Sequence, residues 1–190
     1  MKNILCITYP IDMGNITLEN NLKYLFSDNM DFFSFNQKNN LGHGSFFEQR
    51  SLSHKIISTA SLRKILKSYS SKNKKIIFNS IGPATWGYGA YNIENCILML
   101  DWTRSFQEFI FKKEIKKDIV HILQSYILKK IPKILCRTDK IMENLATCYG
   151  VKNSQMQRIP APLNIELFNI TPRPTPNKPK VLFIGGDFER

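Results

Sequence analysis

Short apolar runs that alternate with helix-periodic segments constrain the fold of this 190-residue chain more than any other feature. Residues 2–8, Asp31 to Phe35, Lys75 to Ser80, Cys96 to Leu100 and Ile134 to Arg137 are too short for buried helices. Each reads as a strand. Between them the apolar spacing becomes helical. One helix is capped by Asn15 or Thr17 and ends near Phe26. A second, over 52–69, carries Ile56, Ile57, Ala60, Ile65, Leu66 and Tyr69 on one side. The longest covers 104–130, with Phe106, Phe109, Ile110, Ile115, Ile119, Ile122, Leu123 and Tyr126 facing one way. The last opens at Thr138 or Asp139 and is stopped by Gly150. Residues 36–50 and 81–92 read as loops, and Gln157 to Pro160 as one more brief strand. Strands joined through helices pair in parallel, and a parallel sheet needs cover on both faces. The expectation is an α/β, Rossmann-like parallel sheet with helices on both faces.

The chain is long enough for one domain plus a remnant, and 43% hydrophobic residues with thirteen Phe can fill its core. Four prolines between 171 and 179 predict a stiff extended linker. After it, Val181 to Ile184 read as a buried strand that runs into Gly185-Gly186, a pair suited to a phosphate-cradling turn. The expected division is therefore a domain over 1–170, a linker over 171–179, and the first strand and loop of a second, truncated domain over 180–190.

Charge and cysteines narrow the function classes. The net charge is +12. Residues 55–75 hold seven basic side chains and no acid, and 104–140 hold ten basic and four acidic. Such a field suits phosphates, anionic lipids or nucleic acid, and equally a solvated lysine surface. No aromatic interleaving supports a base-stacking platform over 55–75, which argues against nucleic acid. Cys6, Cys96 and Cys136 lie in apolar runs, and no pair of the four cysteines has redox or metal spacing. His43, His54 and His121 have no partners at metal-ligand spacing. There is no GxGxxG, P-loop or zinc pattern. Only Ile4 to Ile7 follow the N-terminal Met-Lys, and no apolar stretch approaches a membrane span. A cytoplasmic chain, peripheral to the inner face of the membrane, is expected.

Ligands of open α/β sheets bind beyond the carboxyl ends of the strands. Three loops are therefore candidates: Tyr9 to Gly14, Gly82 to Gly89, and Asp101-Trp102-Thr103. Trp86 and Tyr88, in a glycine-rich loop, offer aromatic faces to a sugar or lipid acceptor. Asp101, beside Trp102, can accept a proton or a hydroxyl hydrogen bond. Its other reading is a helix cap through the Thr103 or Arg104 amide.

The C-terminal third resembles glycosyltransferase family 4, the group 1 retaining enzymes of GT-B architecture. Gly185, Gly186, Phe188 and Arg190 match the start of a family pattern that continues to a lysine. Upstream, Tyr149-Gly150-Val151, Ile159-Pro160 and Asn164-Ile165-Glu166-Leu167-Phe168 follow the family order. Ala161-Pro162-Leu163-Asn164 stands where Asn-Gly-Val-Asp is usual. Over residues 1–133 the likeness is one of element order.

The resemblance implies transfer of a sugar from a nucleotide-sugar to an acceptor with retention, without a metal. Residues 1–170 would be the acceptor half. Gly14 would let backbone approach the ligands, and Asp101 would face the anomeric carbon. Trp86, Tyr88, Trp102 and Thr103 would line the acceptor side. Gly185, Gly186 and Arg190 would meet the donor. The implied partners are the nucleotide-sugar, a lipid-linked acceptor, an anionic membrane surface and a separately encoded C-terminal half. Alone, such a chain is expected to be inactive or a poor catalyst. The competing readings are a basic module for nucleic acid or anionic membranes, and an inactive truncated product.

Overall fold

The computed structural model describes residues 2–9, 13–35, 52–101, 103, 105, 106 and 118–160, with backbone alone at 13–16 and 52–57. The elements run β1 (Ile4–Thr8), α1 (Met13–Phe26), β2 (Met30–Ser34), α2 (Leu52–Ser70), β3 (Lys75–Phe78), α3 (Ile81–Gly87), β4 (Cys96–Leu100), α4 (Ile119–Lys130), β5 (Lys133–Cys136), α5 (Asp139–Tyr149) and β6 (Met156–Arg158). The six strands form one sheet in the order β2-β1-β3-β4-β5-β6. Every pairing is parallel, with Ile7 opposite both Phe33 and Phe78. The fold is Rossmann-like α/β, as expected.

Alternation along each strand sorts the core into two layers. Leu5, Ile7, Ile76, Phe78, Leu98, Leu100, Ile134 and Cys136 face one side. They meet Leu62 and Leu66 of α2, Ala84 of α3, Ile127 and Leu128 of α4, and Ile141 and Leu145 of α5. Cys6, Ile77, Met99 and Leu135 face the other, where Leu18 and Leu22 of α1 cover them. Helices therefore pack on both faces.

Several elements differ from expectation. Helix α1 starts at Met13, so Gly14 sits in its first turn rather than in a loop. Burial of Leu18 and Leu22 on the sheet outweighs the poor helix propensity of an early glycine.

Residues 81–87 are helix, not loop. Ser80 caps it by accepting from Gly82 N (3.3 Å), and Pro83 lies in the first turn, where its missing N–H costs nothing. Thr85 and Gly87 are buried and Trp86 packs against the core from a helix, not from the glycine-rich loop expected.

The single helix expected over 104–130 is interrupted. Asp118 has extended backbone, and its carboxylate accepts from His121 N (2.9 Å) to start α4 afresh. The apolar face shifts with it. Ile127 and Leu128 are buried, whereas Ile119 and Ile122 point to solvent. The strands β2, β5 and β6 each begin one residue before the expected start.

Other expectations hold. Thr138 caps α5 through Ile141 N (3.3 Å). Gly150 ends it at φ 65°, a left-handed conformation that favours glycine. The loop over 36–50, the linker over 171–179, the strand over 181–184, and Trp102, Arg104, Gly185, Gly186 and Arg190 lie outside the described residues.

Candidate functional site

The strand order places a topological switch between β1 and β3. The chain leaves β1 towards β2 on one side, and β3 lies on the other. Such a switch opens a crevice beyond the carboxyl ends. Tyr9 follows β1 and Asn79 follows β3. The Asn79 N–H donates to Ile7 O (2.9 Å), which fixes the first residue of the β3 exit against β1. The Tyr9 ring packs on Phe35 at 5.6 Å and closes over Gly82. A Cβ at Gly82 would stand 3.4 Å from Tyr9 Cε1, so glycine permits this approach.

Asn79 is 5% exposed, and among the described residues its Nδ2 has no hydrogen-bond partner. A buried amide donor left unpaired is uncommon and costs about 1–3 kcal/mol. Beside it, Thr8 ends β1 and Ser34 ends β2, both on the α1 side. Both hydroxyls donate to the Glu19 carboxylate of α1, Thr8 at 2.7 Å, and Lys23 one turn on pairs with it. Burial pushes the Glu19 carboxyl up. The Lys23, Ser34 and Thr8 hydrogen bonds, with the Lys23 charge, outweigh this and hold it below the usual carboxylate range. Glu19 is therefore a charged clasp that locks α1 onto the ends of β1 and β2.

Further along the same edge, Asp101 directly follows β4 and is exposed. The Arg137 N–H donates to Leu100 O (3.0 Å), which sets Arg137 beside it. Burial pulls the Arg137 guanidinium below its ordinary value, and the Asp101 charge opposes that. Its Nη2 has no partner among the described residues. The edge thus offers one exposed carboxylate and two unspent donors, a set suited to a polyhydroxylated or carbonyl-bearing ligand.

The expected site residues divide. Asp101 stands at the edge as expected. The Thr103 hydroxyl is buried and occupied: it accepts from Phe106 N (3.1 Å) and donates to Asn144 Oδ1 (2.6 Å), so it caps the turn at 105–106. Trp86 and Tyr88 lie away from the edge, on the path that leads back from the end of β3 to the start of β4. Tyr88 meets the Tyr126 ring of α4 at 5.8 Å. Gly14 is at the head of α1.

Glu19, Asn79 and Arg137 were not singled out by sequence reasoning, and Tyr9 entered only as the first residue of a candidate loop. Residues just beyond strand ends were sought, but the expected β3 and β5 ran on to Ser80 and Arg137. That shift hid Asn79 and Arg137 inside strands. Among the described residues, no group of three His, Cys, Asp or Glu side chains could hold a metal ion, and no helix is long and apolar enough to cross a membrane.

Three of the four thiols, Cys6, Cys96 and Cys136, are buried. Burial pushes Cys6 up to about 12, with Glu19 adding to the effect and Lys23 opposing it. Burial also pushes Cys96 up to about 12 and Cys136 up to about 11. Cys148 is exposed. In native protein an aromatic disulfide reagent should titrate one thiol quickly and three only on unfolding. Rapid modification of a second would mean that one of the three core positions opens.

No family model matches this chain, and a search of curated proteins returns no match.

Proposed function

We propose that this chain is the acceptor-side domain of a retaining glycosyltransferase that uses a nucleotide-sugar. The observation that carries the reading is the passage from α5 to β6. The motif Tyr149-Gly150-Val151 resembles that of glycosyltransferase family 4, and here each member has a physical role. Tyr149 and Val151 are buried, and Gly150 turns the chain at positive φ. The short strand β6 follows, and then Ile159-Pro160. In support, the edge carries an exposed carboxylate and donors that have no partner among the described residues, at the place where open α/β sheets hold ligands.

In this reading Asp101 accepts a hydrogen bond from an acceptor hydroxyl, and Asn79 and Arg137 donate to the acceptor's ring or carbonyl oxygens. The anomeric carbon exchanges its bond to the diphosphate oxygen for one to the acceptor oxygen. The acceptor proton leaves with the diphosphate. Donor contacts belong to a second domain, and the location is the cytoplasm, at the inner face of the membrane.

The test is amide NMR of the full chain with saccharide and glycolipid-headgroup acceptors, and separately with UDP-, GDP- and ADP-sugars. Acceptors should shift Tyr9, Asn79 and Asp101. Asp101→Asn should weaken that binding on the order of tenfold, the scale of one hydrogen bond to a charged group. Turnover of nucleotide-sugars by this chain should stay low. Shifts at the edge with nucleotide-sugars alone, or brisk turnover, would sink the acceptor-side assignment.

A further inference from the structure

Arg137 is a partly buried cation to which the described residues give no counter-ion in contact. It directly follows β5, and its N–H donates to Leu100 O (3.0 Å), so the β4–β5 ladder runs one step past the strand end. The register pairs Leu100 with Cys136, and both face the layer that holds α2 to α5. Strand alternation then turns the next residues, Asp101 and Arg137, to the other side and sets them next to one another. Ile159 stands on the far flank of Arg137. Its N–H donates to Cys136 O (2.9 Å), and its side chain packs in the α1 layer.

The other charges at this end of β5 and β6 are spent. Arg158, the neighbouring cation, pairs with Asp139 (2.9 Å), the acid that opens α5. Arg137 Nη2 is buried with no hydrogen-bond partner among the described residues, and no ion pair joins the guanidinium to Asp101. Burial disfavours its charge, and Asp101 offsets this only through space. Burying part of a cation without an ion pair is costly. A fork of N–H donors therefore stands beside an exposed carboxylate that it does not touch.

We infer that the acceptor is a saccharide bearing a uronic acid, with its carboxylate on the Arg137 guanidinium and the adjacent ring hydroxyl on Asp101. This rests on the acceptor-side reading above and adds the chemical class of the acceptor. A carboxylate offers two parallel oxygens that match the planar guanidinium fork. In a uronic acid the ring carbon beside the one bearing the carboxylate carries a hydroxyl, which supplies the donor for Asp101. A phosphate fits less well, because it carries up to two negative charges and Asp101 repels each of them from one strand away. A neutral sugar would leave the guanidinium uncompensated.

The experiment measures binding of the full chain to methyl glucuronide and methyl galacturonide, each against its neutral methyl glycoside, and to glucose 6-phosphate. Amide NMR at one fixed salt concentration gives both affinity and place. One uronide should bind on the order of tenfold tighter than its neutral parent, the scale of a hydrogen bond to a charged group, with shifts at Asp101 and Arg137. Glucose 6-phosphate should bind more weakly than that uronide. Arg137→Gln should bring the uronide down to the level of its neutral parent. Arg137→Lys keeps the charge but loses the fork, and should keep part of the preference. Lys130→Gln removes an exposed cation at the end of α4 and should change nothing, which excludes an effect of net charge. The wild-type comparison needs no variant, so a folding defect in Arg137→Gln cannot mimic the preference. Equal affinity for uronides and neutral glycosides, both shifting the edge, would overturn the inference and leave the acceptor-side reading standing. Tighter binding of glucose 6-phosphate would overturn it in favour of a phosphate. Failure of every saccharide to shift the edge would sink both.

Discussion

Gly87→Ala should destabilise the chain by about 2 kcal/mol, although alanine is the better helix former. Gly87 is the last residue of α3 and is buried against α2. A Cβ there would overlap Leu66 Cδ1 and lie 3.7 Å from both Leu62 Cδ2 and Tyr91 Cε1. Leu66 is fully buried, so its side chain can yield only by repacking against its neighbours. Overpacking of this kind costs about 1–3 kcal/mol, occasionally more, and the helix-propensity gain of up to about 1 kcal/mol offsets only part of a cost at the upper end. Urea unfolding measures the net effect. A second variant locates the cause. Leu66→Ala alone should cost about 2–5 kcal/mol, and the pair should cost less than the sum because the new methyl occupies vacated space. Unchanged stability in Gly87→Ala would mean that α2 and α3 do not pack as closely as described.

Glu19→Ala should cost about 3 kcal/mol at neutral pH, on the scale of breaking a buried, hydrogen-bonded charge pair. The substitution leaves the Thr8 hydroxyl buried without its 2.7 Å acceptor and removes the acceptor of Ser34 and the partner of Lys23. Lys23 is 39% exposed and can return to water, so most of the loss comes from the two strand-end hydroxyls. The pH dependence has a definite sign. The Glu19 carboxyl titrates lower in the folded chain than in the unfolded chain. Its contribution is thus complete above the unfolded value and is lost as pH falls through the lower folded value. Urea unfolding of wild type and variant should show a wide gap at neutral pH that narrows only in acid. Glu19→Gln, which can still accept hydrogen bonds, should fall between them. A gap below about 0.5 kcal/mol at neutral pH, the range of ordinary surface changes, would remove Glu19 from its role as a clasp.

The fold was legible because its signals are local and redundant. Apolar runs of strand length, separated by helix-periodic segments, leave little besides a parallel sheet. Gly150 is a turn residue whose reading needs only its neighbours. The misread segments share one cause. In 81–87, glycines and a proline suggested a loop, yet the small residues are there so that a helix can pass close to α2. Over 104–130 the apolar periodicity continued through Asp118, and nothing local told an apolar residue facing the sheet from one facing solvent.

The site was less legible still. Asp101 could be found because it follows a strand directly. Asn79 and Arg137 do so as well, and strand boundaries one or two residues too late concealed them. Glu19 is an unremarkable helical acid with a lysine four residues on. It becomes a clasp only where α1 packs back across the ends of the two strands that it joins.

By itself the sequence determined the class of fold, the stop of α5, the parallel pairing of the strands and the net positive charge. These depend on side-chain period, backbone freedom at glycine and net charge, all of which are properties of neighbours along the chain. The tertiary structure alone decided which apolar residues of α4 are buried and which stay in water. It also decided that the hydroxyls ending β1 and β2 share one carboxylate, and that the Asn79 and Arg137 donors stand at the carboxyl edge without a partner among the described residues. The physical reason is that burial and hydrogen-bond satisfaction depend on which segments lie against one another in space, and strand order across a sheet is not written in any single stretch of the chain.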